Sequence, residues 1–499
     1  MPDLLSLSRA ARLVGVSRAA VQRRIRRGEL ETFEGKVSAE DLAHAYPDAA
    51  LDDSSVLERF QSIKDNAYAG RIREHVLPPA EVLAARLSDL SRQLAGAKSL
   101  LDQYKGIVNR LELTLDGLLA ETRGDAHAGL MRLRHWFRDE LEREVLDIEP
   151  VNPILVKDSF LRVMAAHVEI HPSKHEFFIE GTDSILDAAL KNGLAMDYGC
   201  ASGTCGQCAA RLVSGDIRKL RPHDYVFSEA ERARGMFLMC CHSAITDIVI
   251  EAHEAGSAQE IPVQTIPARV KSATPLSDDI VLLHLLTPRS NRLRFLAGQS
   301  VALDIAGGLH AEMPIASCPC DDRNIQFHVR RDFENDFCLH VFNRIKPADV
   351  ITLTGPTGDF VFHDDAPRPV IFLAVETGFA PIKSLVEHAM ALESVESIHL
   401  YWLGRNDDDR YLGNLCRSWT DALDDLHFTP LDTPNDVRAA SASRSDLAVG
   451  LRPLFAAHPV LADFDVYVAA PDAALATITS LLTDAGLPAA QLRAVSVPG

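Results

Sequence analysis

The sequence predicts a multidomain chain: a small helical head with a wing, a long α-helical coiled coil, an α+β domain built on a cysteine loop, an antiparallel β-barrel and an α/β domain. Three observations predict it. At 499 residues the chain exceeds what one core organises. An unbroken heptad seam runs from Leu83 to Leu118, well apart from the tight cluster Cys200, Cys205 and Cys208. Short alternating strands over residues 263–365 then give way to a βα rhythm. The expected units are residues 1–50, 77–147, 164–255, 263–365 and 368–499.

Composition frames the function. With 47% hydrophobic and 24% charged residues, the chain has the make-up of an ordinary globular protein. The N-terminus lacks an apolar run followed by a cleavage site, and no stretch matches a membrane helix. The expectation is therefore a cytoplasmic protein with no membrane partner. Nine cysteines in that setting argue for metal ligation where they cluster. Net charge is −19, yet residues 1–30 carry seven arginines against Asp3 and Glu29. A basic end on an acidic body suits contact with a polyanion, or simply a solvated helix face.

In the head, Ser8 is placed to cap a helix with Ala11 and Val14 inward. Gly15-Val16-Ser17 makes a turn, and Ser17 caps a second helix with Val21 and Ile25 four apart. Arg18, Arg23, Arg24, Arg26 and Arg27 project mostly outward, and Gly28 ends the helix. Residues 29–37 have room for a short hairpin. The run Leu7-Ser-Arg-Ala-Ala-Arg-Leu-Val-Gly-Val-Ser-Arg18, followed by Arg27-Gly-Glu-Leu30, resembles the winged helix-turn-helix of MerR-type and excisionase-like proteins. In that motif the second helix reads the major groove. The resemblance implies DNA as a partner through Arg18, Arg23, Arg24 and Arg27; a small helical domain for protein contacts is the competing reading.

The coil is read from Leu83, Leu87, Leu90, Leu94, Ala97, Leu101, Tyr104, Val108, Leu111, Leu115 and Leu118, which alternate spacings of four and three. That phase favours a homodimer through residues 83–118 over one amphipathic helix packed on its own domain. A second helical stretch, about 126–146, either folds back or continues the first.

The cysteine domain begins with a hairpin around Pro172-Ser173-Lys174 and a helix from about Ser184 to Lys191. Cys200-x4-Cys205-x2-Cys208 is the plant-type ferredoxin spacing for a 2Fe-2S cluster. Four thiolates must converge on two irons, and Ala201, Ser202, Gly203 and Gly206 are small enough to bring amide N–H groups to the sulfurs. The spacing departs from the paired C-x2-C pattern of zinc sites. Cys240 and Cys241 compete as fourth ligand. The stretch Leu238-Met239-Cys240, with Asp247 ahead of an apolar strand, resembles the ending of reductase-fused ferredoxin domains, and it selects Cys240. Adjacent residues of a regular strand face opposite ways, so Cys241 is expected to be a buried thiol or a spare ligand. Cys318, Cys320, Cys338 and Cys416 read as ordinary buried thiols.

From residue 160 onward the chain resembles the ferredoxin–NADP reductase-like family with a fused plant-type ferredoxin, the oxygenase reductases and CDP-6-deoxyglucoseen reductases. The scaffold motifs are Phe295-Leu-Ala-Gly-Gln-Ser-Val-Ala-Leu303, Gly355-Pro-Thr-Gly-Asp-Phe360, Thr377-Gly-Phe-Ala-Pro-Ile-Lys-Ser384 and His399-Leu-Tyr-Trp-Leu-Gly-Arg405. The resemblance implies a β-grasp ferredoxin, a flavin-binding-like barrel and an NAD(P)-binding-like α/β domain. It further implies electrons passing from NAD(P)H through FAD to the cluster and on to an oxygenase-like protein acceptor, with Thr377, Gly378 and Arg405 at the cofactor.

The cofactor positions depart from the family. Its Arg-x-Tyr-Ser reads Ala311-Glu312-Met313-Pro314, and its Gly-x-x-Ser reads Phe333-Glu334-Asn335-Asp336. Its Gly-Gly-Thr-Gly reads Val375-Glu376-Thr377-Gly378, and its Cys-Gly-Pro reads Ala469-Ala470-Pro471. Carboxylates repel a pyrophosphate, and side chains in place of glycine keep it from the backbone. FAD and NAD(P)H are therefore doubtful cofactors. Arg323, Arg330 and Arg331 read as surface charge, although one of them is placed to replace the missing phosphate partner. Three functions compete: an iron–sulfur reductase component, a redox-sensing DNA-binding regulator, and a cluster-bearing scaffold without hydride chemistry.

Overall fold

The computed structural model describes residues 4–33, 35–47, 78–146, 152–363, 368–433 and 443–498. The expected boundaries at 1, 50, 77, 147, 365 and 499 lie outside the described residues.

The head is built on helices Leu7–Val14, Arg18–Arg26 and Ala39–Ala45. Ser17 caps the second helix by accepting from the Ala20 amide, and Gly15 makes the turn at φ +73°. The first cap is Ser6, not Ser8. Strand Leu4–Ser6 pairs antiparallel with Lys36–Ser38, which fixes the chain's entry two residues earlier than expected. The expected 29–37 hairpin is reduced to a turn in which Phe33 bridges Lys36. Leu5, Ala10, Leu13, Val37 and Leu42 share one core with Ile154, Leu161 and Ala165. Those last residues lie on, or just after, the helix Pro153–Met164 that leads into the cysteine domain.

Helix Ala80–Glu121 is followed by Asp125–Leu146, which folds back along it; Arg134 meets Asp116 at 3.2 Å and Arg138 meets Glu112 at 3.4 Å. Leu115 of the seam is buried, while Leu87, Leu94, Leu101, Tyr104, Leu111 and Leu118 are exposed. The buried Arg86 roots the hairpin by donating to Ile245 O and Val163 O at 2.8 and 2.9 Å. Among the described residues, no helix is long and apolar enough to cross a membrane.

The cysteine domain is a five-stranded sheet in the order Glu176–Glu180, Ala165–His171, Ile248–Glu251, Ala209–Ser214, Met236–Leu238, with helix Ile185–Lys191 against it. Ser184 caps that helix. Next come a six-stranded antiparallel sheet and a five-stranded parallel sheet. The parallel order is Leu426–Asp432, Ile398–Gly404, Val370–Val375, Asp465–Pro471, Leu492–Val497. Its central strands are apolar on both faces, as a sheet covered by helices requires.

Candidate metal centre

The loop from Cys200 to Cys208 bends tightly because Ala201, Gly203 and Gly206 take φ values of +45°, +86° and +81°. A Cβ at Gly203 would lie 2.7 Å from Cys241 Sγ, and one at Gly206 would lie 2.2 Å from the Tyr225 ring. Only glycine leaves the loop this close to its surroundings. The bend turns amides inward: Ser202, Thr204 and Cys205 donate to Cys200 Sγ at 3.3–3.4 Å, and Cys200 and Gln207 donate to Cys205 Sγ at 3.4 and 3.5 Å. Burial pushes the Cys200 thiol up, but the hydrogen bonds from Ser202, Thr204 and the backbone prevail and bring it down to about 5. That is the thiolate a metal requires.

The thiols fall into two pairs. The Cys200 and Cys205 amides each donate to the other's sulfur; Cys208 and Cys240 interact, which holds Cys208 down and Cys240 up. Two pairs suit two irons. Among the described residues, no three Cys, His, Asp or Glu side chains gather around a single metal ion. Cys205 is exposed, and Cys200, Cys208 and Cys240 are buried.

Cys240 and Cys241 do not lie on a strand. They form a 3₁₀ turn, Met239–Cys241, with both side chains buried and their sulfurs 3.5 Å apart. The opposite-face argument for separating them therefore fails; what distinguishes Cys240 is its neighbour Cys208, which holds its thiol up. Asp247 also has a second part: it accepts from the His167 amide at 2.9 Å and pairs with Arg9 at 2.7 Å. Arg9 pairs with Asp158 as well, so the head is tied to the cysteine domain.

The arginines of the second head helix do not face solvent together. Arg23 forms a two-pronged contact with Asp425 at 2.7 and 3.0 Å and donates to Glu396 O; Arg26 meets Glu396 at 2.8 Å. Arg24 donates to Ala45 O and lies 4.2 Å over the Tyr46 ring. Arg27 is exposed and Arg18 half-buried. The outward projection expected of the set is corrected by this contact with the α/β domain.

Thr377 and Gly378 follow strand Val370–Val375, and Arg405 follows its neighbour Ile398–Gly404, at the carboxyl edge where open α/β sheets take ligands. Thr377 donates to Pro498 O at 3.1 Å, and Arg405 grips Asp409 at 3.1 and 3.2 Å. Glu376 is fully buried at φ +50°, and its carboxylate meets Arg330 at 2.6 Å. Arg330 is thus buried rather than surface charge. Beside this pair Phe379 stacks on Trp402 at 3.8 Å, and His328 meets Tyr411 at 2.8 Å. Ala311 and Met313 pack in the barrel core with Phe337. The amides of Phe337 and Cys338, at the start of helix Asp336–Asn343, donate to the Asn335 side chain.

The buried pair Lys383–Glu387, 2.8 Å apart, joins the barrel to the α/β domain: Lys383 donates to Ala316 O at 3.0 Å and Glu387 accepts from the Cys318 amide at 3.2 Å. Cys318 and Cys320 form a disulfide, correcting their reading as separate thiols. Cys338 and Cys416 are buried and free. Arg330–Glu376 and Arg9–Asp247 were missed because partners so far apart in sequence leave no local pattern; Lys383–Glu387 lies four residues apart on one helix, and what the sequence hides is its burial between two domains. The Cys-x-Cys spacing was in plain view.

A model of the 2Fe-2S iron-sulfur cluster binding domain matches residues 168–245. The chain is 32% identical over 273 residues to the CDP-6-deoxy-L-threo-D-glycero-4-hexulose-3-dehydrase reductase of Yersinia pestis, across 55% of this chain and 82% of that one. It is 30% identical over 256 residues to reductase component 2 of the terephthalate 1,2-dioxygenase of a Comamonas species, across 51% and 75%. A solved cytochrome P450 reductase of Amycolatopsis is similar at 21% identity and a TM-score of 0.41, covering 66% of this chain and 98% of that one.

Proposed function

Because the chain belongs to the ferredoxin–NADP reductase-like family with a fused 2Fe-2S ferredoxin domain, we propose that it is a single-electron carrier whose flavin and nicotinamide positions are closed. Cys200 and Cys205 hold one iron in this reading, and Cys208 and Cys240 the other. Bound there, the cluster supplies a one-electron couple. The donated amides favour charged sulfur, and the exposed Cys205 marks the edge a protein partner approaches. That partner is an oxygenase-like acceptor or a donor, as the relatives' reductase roles imply.

The observation that carries the closed-site reading is the buried Glu376. In the family a glycine there lets a phosphate reach the backbone; here a carboxylate occupies the place and spends its charge on Arg330. Ala311, Met313 and Pro314 offer neither a cation for a flavin phosphate nor a ring to stack on the flavin. Asn335 takes two amides that open the next helix. The residues fit the cluster and do not fit FAD or NAD(P)H.

The test is an absorbance spectrum of the purified protein. Cluster bands that dithionite bleaches and NADH or NADPH does not are expected; a flavin peak bleached by either nucleotide overturns the reading.

The exposed seam from Leu87 to Leu118 is assigned to a second copy of the chain, since its heptad phase persists where the returning helix leaves it uncovered. A DNA-binding regulator is the second reading, favoured by the Ser17-capped arginine helix; it requires Arg23 to leave Asp425. A gel shift with the protein's own upstream DNA tests it, and no shift with the cluster oxidised or reduced removes it.

A further inference from the structure

The Cys318–Cys320 disulfide lies where three units meet. Its Cα atoms are 5.2 Å apart, and the turn Pro319–Asp321 packs against both the ferredoxin helix Ile185–Lys191 and the α/β helix Phe379–Leu392. Ser384 and Glu387 hold it from the α/β side, through Ser317 O at 2.7 Å and the Cys318 amide. On the other side the next residue, Asp322, meets Arg292 at 3.4 Å and lies beside the buried Tyr198. Tyr198 lies two residues before Cys200, and the Arg292 amide donates to Gly199 O at 3.4 Å. A short path of hydrogen bonds therefore joins the sulfur pair to the start of the cluster loop.

As a staple the bond does little. A cross-link between residues two apart closes so short a loop that it removes very little freedom from the unfolded chain. Neither sulfur holds distant segments together, because the 3₁₀ turn already brings the two residues near. The chemistry left to such a pair is exchange.

We propose that Cys318 and Cys320 are a second redox site, a reversible dithiol–disulfide couple that trades electrons with dithiol donors and disulfide acceptors and whose state alters how the cluster loop is held. Cys320, at 8% residue exposure against 0% for Cys318, is the less enclosed of the two and is the one assigned the attack. The thiolate attacks Cys320 Sγ; the S–S bond breaks and Cys318 leaves as thiolate, which takes up a proton. The donor's second thiolate attacks the mixed disulfide, Cys320 is released and protonated, and the donor departs as its own disulfide. Two electrons and two protons enter the protein. A 2Fe-2S cluster takes one electron, so the sulfur pair influences it through the Asp322–Tyr198–Arg292 contacts and not by direct exchange. That last link rests on the cluster reading above; the exchange itself does not.

The test uses full-length, cluster-loaded protein in buffers of graded reduced-to-oxidised dithiothreitol, quenched in acid, labelled with iodoacetamide in urea and read by mass spectrometry. The peptide bearing Cys318 and Cys320 is expected to pass from no label to two labels along a two-electron curve under native conditions. A pair that stays bonded at every ratio until urea is added, or that is free even in the most oxidising buffer, overturns the proposal. For the link to the loop, the electron paramagnetic resonance spectrum of the reduced cluster is expected to differ between the two sulfur states. It should not differ in Cys318→Ser/Cys320→Ser. Identical wild-type spectra in the two states remove the link and leave the thiol titration standing or falling by itself.

Discussion

The pair Arg330–Glu376 offers a quantitative test of how the α/β unit is closed. The Arg330 side chain is 6% exposed and that of Glu376 0%, with 2.6 Å between their charged atoms. Glu376→Gln keeps the shape and removes the charge, leaving the buried guanidinium beside a neutral amide with the half-exposed Asp279, 3.9 Å away, still facing it. Stranding one partner of a buried pair costs ~3–5 kcal/mol. Arg330→Met strands the carboxylate at similar cost. Removing both charges strands neither, so the double variant should lose far less than the sum of the singles, with a coupling of ~3 kcal/mol or more. Urea unfolding followed by tryptophan emission reads this unit well, because Trp402 and Trp419 are fully buried in it while Trp136 is exposed on the helical hairpin. Single variants that lose under ~1 kcal/mol, with a double that is additive within ~0.5 kcal/mol, would refute the reasoning.

Three other outcomes follow from the same geometry. Cys240→Ser should halve or abolish cluster iron while Cys241→Ala leaves it intact, measured by iron content and visible absorbance; the reverse pattern makes Cys241 the ligand. Burial holds the Asp322 carboxyl up to about 6, above its unfolded value of about 3.9, so the stability it contributes is full below that lower value and lost as pH rises through the upper one. The advantage of wild type over Asp322→Asn in thermal unfolding should therefore be larger at pH 4 than at pH 7. An advantage that grows with pH would mean the Arg292 pair outweighs burial. Leu94→Glu/Leu101→Glu, at seam positions 57% and 53% exposed, should convert a dimer to a monomer in sedimentation equilibrium with helix content kept. An unchanged mass removes the seam as the interface.

What the sequence made legible was local. Ser17 and Ser184 announce their helices because a cap bonds amides within three residues. The cysteine loop is legible because the cluster chemistry dictates short spacing, and the core strands because both of their faces are apolar. What escaped was set by distant partners. Arg330 looks like surface charge until the fold brings Glu376 to it from 46 residues away. Arg23 looks free until Asp425 arrives from the far end of the chain. Cys240 and Cys241 read as strand residues because their neighbours are apolar, and only the domain's packing winds them into a 3₁₀ turn. Ser6 displaced Ser8 as cap because a strand pairing, invisible in the local pattern, set where the chain turns.

The central claim is that the 2Fe-2S cluster works here without a flavin. The most direct measurement is the iron, acid-labile sulfide and acid-released flavin content of the protein purified without oxygen and then dialysed against FAD. The account predicts about two irons and two sulfides per chain, as the cluster type sets, with flavin absent even after FAD is supplied. Retained, stoichiometric FAD would contradict it.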